Sequence, residues 1–82
     1  MKMQEEQSYQ DRTAEAESTI RDLVNVARSS TDLAFRSVQK ATASGVLHDW
    51  IETTDNHGDG PQSYNADRVR LVALINTAML DA

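Results

Sequence analysis

The chain has no cysteine among its 82 residues. This absence excludes disulfide bonds, thiolate metal sites and a cysteine nucleophile. It suits a reducing compartment, so we expect a cytoplasmic protein. Long apolar runs are also missing, and the first residues, Met1 to Gln7, are mostly polar. We therefore expect neither a signal peptide nor a membrane span.

Positive charge is scarce as well. Eight Lys and Arg residues stand against 13 Asp and Glu residues, which gives a formal net charge of −5. An acidic surface disfavours nucleic-acid backbones and anionic membranes as primary partners. Mild acidity also serves plain solubility in many domains. We therefore predict an acidic protein that does not bind nucleic acid or membranes.

Strong helix breakers are few, and the three glycines and one proline all lie beyond residue 44. Before that point, apolar residues recur at intervals of three and four, the period of an amphipathic helix. The residues of this stripe are Ile20, Leu23, Val24, Ala27, Ala34, Phe35, Val38 and Ala41. The pattern predicts a long N-terminal helix.

Residues 29–32 leave open a break in this helix, because Ser, Thr and Asp favour helix caps. The apolar period keeps its phase across them, so we favour continuity. A continuous helix of about 40 residues would be roughly 60 Å long, more than one small core can cover. Such a helix would need a partner chain.

Two shorter helical elements follow. Ser44 and Gly45 are predicted to end the first helix, and residues 46–52 to form a short second one. Residues 55–63 have the composition of a flexible polar loop, and residues 1–6 are expected to fray. A C-terminal helix begins near Ser63 and is apolar on more than one face. The sequence thus predicts one all-α domain over residues 1–82, a small helical bundle that we expect to be oligomeric.

Catalytic and metal-binding motifs do not assemble. Asp55, Asp59 and Gly60 fit positions 1, 5 and 6 of a calcium loop, but Ala66 occupies position 12, where a glutamate is needed. The two histidines are nine residues apart and give no close ligand pair. The sequence also lacks a nucleophile elbow, a P-loop and a dinucleotide fingerprint. We predict no enzyme activity, no metal and no cofactor.

Arginines lie beside the apolar stripes. On a continuous first helix, Arg21, Arg28 and Arg36 would share about one quadrant, and Arg68 and Arg70 open the last helix. Acidic residues lie close to both groups, so we favour salt bridges over anion binding. The two tyrosines are too far apart in sequence to predict a base-stacking platform within one chain.

We predict a helical protein-interaction module that acts as an inhibitor or adaptor by binding another macromolecule. Its partners would be a second copy of itself and another protein. Its size and composition resemble those of phage-encoded inhibitors, which allows a counter-defence role by analogy alone. The predicted interaction residues are Phe35, Val38, Leu47, Trp50, Ile51, Leu71 and Ile75.

The alternative is an oligomeric protein that sequesters a small phosphorylated or nucleotide ligand. Aromatic rings and guanidinium groups are the side chains that such a ligand would use. The candidate ligand-binding residues are Tyr9, Arg28, Tyr64, Arg68 and Arg70.

Overall fold

A computed structural model describes residues 8–57 and 62–80 of the chain. Three helices form a small bundle: α1 (Tyr9–Arg28), α2 (Leu33–His57) and α3 (Tyr64–Asn76). A 3₁₀ turn, Thr77–Met79, extends α3. The described residues contain no strand, and the predicted all-α bundle is confirmed.

Helix α1 begins where the local sequence supplies a cap. The Ser8 side chain accepts a hydrogen bond from the backbone N–H of Asp11 at 3.1 Å, which satisfies one of the free amides of the first turn. The buried positions then recur at intervals of three and four: Thr13, Ala16, Ile20, Val24 and Ala27. One stripe of α1 therefore faces the core, as its apolar period predicts.

The chain turns at residues 29–32. The Ser29 hydroxyl donates to the carbonyl of Val26 at 2.7 Å at the end of α1. The Asp32 carboxylate then accepts hydrogen bonds from the backbone N–H groups of Ala34 (3.0 Å) and Phe35 (3.3 Å) and caps α2. The break left open by the sequence is what the structure has, and the favoured continuous helix was wrong. The length of the first helix therefore no longer indicates a partner chain, because α1 packs against α2 of the same chain.

Helix α2 continues through Gly45, so the predicted helix end at that residue and the separate helix 46–52 were wrong. A Cβ atom built on Gly45 would meet nothing within 4 Å. One glycine costs a helix about 1 kcal/mol, too little to end a helix whose flanks are packed. The helix also takes in the first residues of the predicted loop 55–63. Residues 58–61 and the predicted frayed residues 1–6 lie outside the described part of the chain.

The core face of α2 differs from the apolar stripe read from the sequence. Arg36, Ala43 and Trp50, spaced seven apart, are buried, whereas Phe35 and Val38 of the predicted stripe are exposed. The turn at residues 29–32 is the reason, because it frees the rotation of α2 from that of α1. The large Trp50 ring then sets which side of α2 faces inward.

The C-terminal segment closes the bundle. Leu71 and Ile75 of α3 and Ala78 of the 3₁₀ turn are buried. The guanidinium of Arg36, 6% exposed, donates hydrogen bonds to the carbonyls of Ala78 (3.0 Å) and Leu80. Carbonyls at a helix end carry partial negative charge, so they compensate a buried cation. In the described residues, no helix has the length and apolar character needed to cross a membrane.

Candidate functional site

Exposed apolar side chains gather at one end of the bundle. In this up-down-up arrangement, the C-terminus of α1, the N-terminus of α2 and the C-terminal turn meet at the same end. Of the exposed large apolar residues in the described ranges, Val69 of α3 is the one that does not lie there. The others, which we call the apolar end, are Val26, Leu33, Phe35, Val38 and Leu80.

A groove runs between α1 and α2. It holds a cavity of about 380 Å³. Because α1 and α2 are neighbouring antiparallel helices, residues near the start of α1 lie beside residues near the end of α2. The cavity lining reflects this: Arg12, Glu15, Ala16 and Thr19 come from α1, and Val46, Asp49, Trp50 and Thr53 from α2.

The helical period connects this cavity with the apolar end. Residues seven apart lie on nearly the same side of a helix. On α1, Val26 therefore continues the row of Arg12 and Thr19, and on α2 Phe35 lies in the row of Asp49. We call the channel between these two rows, together with the cavity, the α1–α2 groove. The distance along α1 from residue 12 to residue 26 is 14 helical steps, so the groove is roughly 21 Å long at ~1.5 Å per step.

The α1–α2 groove is acidic at the end away from the apolar end. Glu15 and Asp49 line the cavity there together with Arg12. On the outer surface of α2 beside it, a carboxylate oxygen of Glu52 lies 3.1 Å from a ring nitrogen of His48, and both side chains are well exposed. The groove therefore passes from acidic to apolar side chains along its length.

The predicted interaction residues fall into three groups. Phe35 and Val38 belong to the apolar end and are 38% and 59% exposed. Leu47 and Ile51 are half-buried against the core. The remaining three residues are buried inside the chain itself: Trp50, Leu71 and Ile75.

Trp50 is the centre of an aromatic cluster. Its indole N–H donates to the Thr13 hydroxyl at 3.0 Å. The ring of Tyr64 stacks on it with centroids 5.3 Å apart, and the ring of Tyr9 lies tilted at 6.1 Å. Two tyrosines that are far apart in the sequence thus both contact Trp50 within one chain. With Trp50 only 4% exposed, the cluster belongs to the core.

A polar network joins α1 to α3 beside this cluster. The Tyr9 hydroxyl donates to the Asp67 carboxylate at 2.7 Å, and Arg70 donates to Asp67 at 3.3 Å. Arg70 also donates to Glu17, which accepts from Arg21 at 2.6 Å. For Arg21 and Arg70, these contacts are salt bridges of the kind that we favoured, whereas Arg36 binds backbone carbonyls instead.

The network shifts the protonation equilibria of its members. Hydrogen bonds from Arg70 and then Arg21 lower the pKa of Glu17 below its ordinary value. The hydrogen bond from Tyr9 and then that from Arg70 lower the pKa of Asp67. Burial and the bond to Asp67 raise the pKa of Tyr9. These three groups are therefore held in their neutral-pH forms by partners within the chain.

The other predicted ligand residues do not join this network. Arg28 is exposed at the far end of α1, and Arg68 is half-buried on α3. The expected quadrant of Arg21, Arg28 and Arg36 does not form, because α1 ends at Arg28. Sequence reasoning missed the role of Arg36 and placed Phe35 and Val38 on a helix face continuous with that of α1. The cap signal of residues 29–32 was the clue to the break between the two helices.

Candidate metal ligands are scattered over the part of the chain that the structure describes. No group of three or more His, Cys, Asp or Glu side chains in residues 8–57 and 62–80 is placed to hold a metal ion. A second cavity, of about 340 Å³, lies beside the polar network and is lined by Tyr9, Glu17, Asp67 and Arg70 among others. No family model matches the chain, and no curated protein or solved structure matches it either.

Proposed function

We propose that this chain is a protein-interaction module that binds another protein through its apolar end and the adjoining α1–α2 groove. The observation that carries the proposal is the outward position of Phe35 and Val38 on α2. Soluble monomers rarely keep clustered apolar surface exposed unless it meets a partner. Large apolar side chains beside a groove are also the usual anchors of such contacts.

The proposal includes an inhibitor or adaptor role in the cytoplasm, without catalysis. A module of this size acts on its partner by covering a surface. The counter-defence role is a special case that rests on size and composition. Self-association is a separate part of the proposal, and light scattering of the purified chain measures it.

The nucleotide-sequestering alternative receives less support. Arg70 already binds two carboxylates, and Tyr9 donates to one of them. An added phosphate would have to compete with these acids for the same donors. Tyr64 is likewise engaged by stacking on Trp50.

Site-specific photo-crosslinking tests the proposed surface. A photoreactive amino acid is placed at Val38 and, as a matched control, at Val69. The two valines are 59% and 60% exposed, but Val69 lies on α3, away from the apolar end. We expect position 38 to give a discrete adduct with another protein in cells, and position 69 to give none. Identification of the adduct by mass spectrometry then allows binding to be measured with purified proteins.

The purified complex provides the second readout. Val38→Asp places a charge at the apolar end and should weaken binding by about tenfold or more, whereas Val69→Asp should leave it unchanged. Circular dichroism must show both variants helical. Equal adducts from both positions, or equal affinities of both variants, would contradict the proposed surface.

A further inference from the structure

The α1–α2 groove has two chemically different ends. Its rows end in Val26 and Phe35 at the apolar end, and Glu15 and Asp49 line the opposite end. The polar end has a net negative charge, because Arg12 is the one basic side chain among its three charged lining residues in the described chain. The exposed carboxylates of Asp11 and Glu52 flank this end and add to its negative potential.

We infer that the α1–α2 groove binds an amphipathic helix of a partner protein, with apolar residues at one end and Lys or Arg at the other. This inference rests on the proposed function and specifies the partner. The partner's apolar residues cover Val26 and Phe35. Its basic residues lie beside Glu15 and Asp49, where opposite charges fix the orientation.

The shape of the groove favours a helix as the occupant. Two antiparallel helices leave between them a channel into which the ridge of a third helix packs. Small side chains, Ala16 and Thr19 of α1, line the cavity in this channel. A length of roughly 21 Å corresponds to about 14 helical residues, so a peptide of 18 residues spans it.

The charge of the chain argues against a second copy as the occupant. The chain is acidic overall, with a net charge of −5, and its exposed α1 residues include Asp11 and Asp22 as well as Arg21 and Arg28, so α1 presents no uniformly basic face. A basic helix face is what the acidic end of the groove requires. Arg70 on α3 is held by Glu17 and Asp67 within the chain and is not free to serve a neighbouring copy.

The test uses three synthetic 18-residue peptides and the full chain. The first peptide is helical, with leucines along one side of one half and lysines on the other half. The second replaces the lysines by glutamates. The third has the composition of the first but scatters the leucines around the helix. Fluorescence anisotropy measures the affinity of the chain for each peptide at low and at high salt. Light scattering measures the molar mass of the chain alone.

We expect the lysine peptide to bind at least about tenfold more tightly than the other two, and its affinity to fall with salt. Val38→Asp should weaken this binding about tenfold, whereas Val69→Asp should not. The double variant Glu15→Gln/Asp49→Asn should weaken the lysine peptide and remove most of its salt dependence. This variant keeps the size of both side chains, so a helical spectrum and unchanged melting separate lost charge from lost fold.

Other outcomes overturn the inference and identify what fails. Equal affinities for the lysine and glutamate peptides would refute a basic partner. The molar mass of the chain could instead rise with concentration, and both Val38→Asp and Val69→Asp could abolish that rise. In that case a second copy of the chain would be the occupant of the groove. If no peptide binds although position 38 crosslinks to a partner, the helix inference is wrong and the proposed function stands. If position 38 also gives no adduct, both fail.

Discussion

Replacing Gly45 by alanine should stabilise the protein. Gly45 lies in the interior of α2, is exposed, and leaves open space where a Cβ would stand. The methyl group therefore gains no contact and causes no clash. What changes is the backbone entropy that glycine loses on entering a helix, which is worth about 0.8–1.0 kcal/mol relative to alanine. For a domain of this size, such a gain raises the melting temperature by roughly 4–8 °C.

The assay is thermal unfolding followed by circular dichroism, with urea unfolding as a second measure. Ala41→Gly is the matched control, because Ala41 is exposed one turn earlier on the same helix. It should lower the melting temperature by a similar amount. The double variant Ala41→Gly/Gly45→Ala should melt close to the original chain.

The sign of the effect separates two structures. If the first helix ended at Gly45, as its sequence context predicts, this residue would adopt the left-handed conformation of a helix terminus, and alanine there would destabilise the protein. A melting temperature that falls or stays constant in Gly45→Ala would refute a continuous α2.

Three further predictions concern capping, the buried arginine and pH. Asp32→Ala removes the cap of α2 and should cost about 1 kcal/mol in urea unfolding; no loss would show that this carboxylate does not cap the helix. Arg36→Met removes two buried hydrogen bonds to C-terminal carbonyls and should cost about 2–3 kcal/mol and speed amide exchange in the last turn; unchanged exchange there would count against this contact. Glu17 and Asp67 have lowered pKa values, so the stability that they add is complete above their ordinary values of 4.5 and 3.8 and is lost as pH falls below them. Acid unfolding should be less steep in Glu17→Gln, and an identical pH profile would show that this network adds no stability.

The fold class could be predicted from the sequence because it depends on amino-acid composition and on the spacing of the apolar residues. Few breakers, many helix formers and intervals of three and four define an all-α chain whatever its turns are. The inward stripe of α1, with Ile20 and Val24 at its centre, followed for the same reason. At residues 29–32, the capping residues favoured a turn, whereas the continuous apolar period favoured one unbroken helix, and the chain turns. The apolar period alone could not predict the turn, because a new helix can begin at any rotation about its axis.

The candidate site was harder to predict because it depends on that rotation. Phe35 and Val38 were identified as interaction residues, but as part of one stripe running on from the core residues of α1. Trp50 was expected to serve a partner, whereas its hydrogen bond to Thr13 and its stacking on Tyr64 place it in the core. These contacts join residues far apart in sequence, and no local pattern encodes them. Arg36 was missed for the same reason, since its acceptors lie more than 40 residues away.

The central claim is that the apolar end and the α1–α2 groove form the partner-binding surface. Amide chemical-shift mapping of the labelled chain, free and with its crosslinked partner, tests it most directly. We predict the largest changes at Val26, Phe35 and Val38, smaller changes near Asp49, and none around Val69 on α3. Changes confined to the outer face of α3, with the groove unaffected, would contradict the claim.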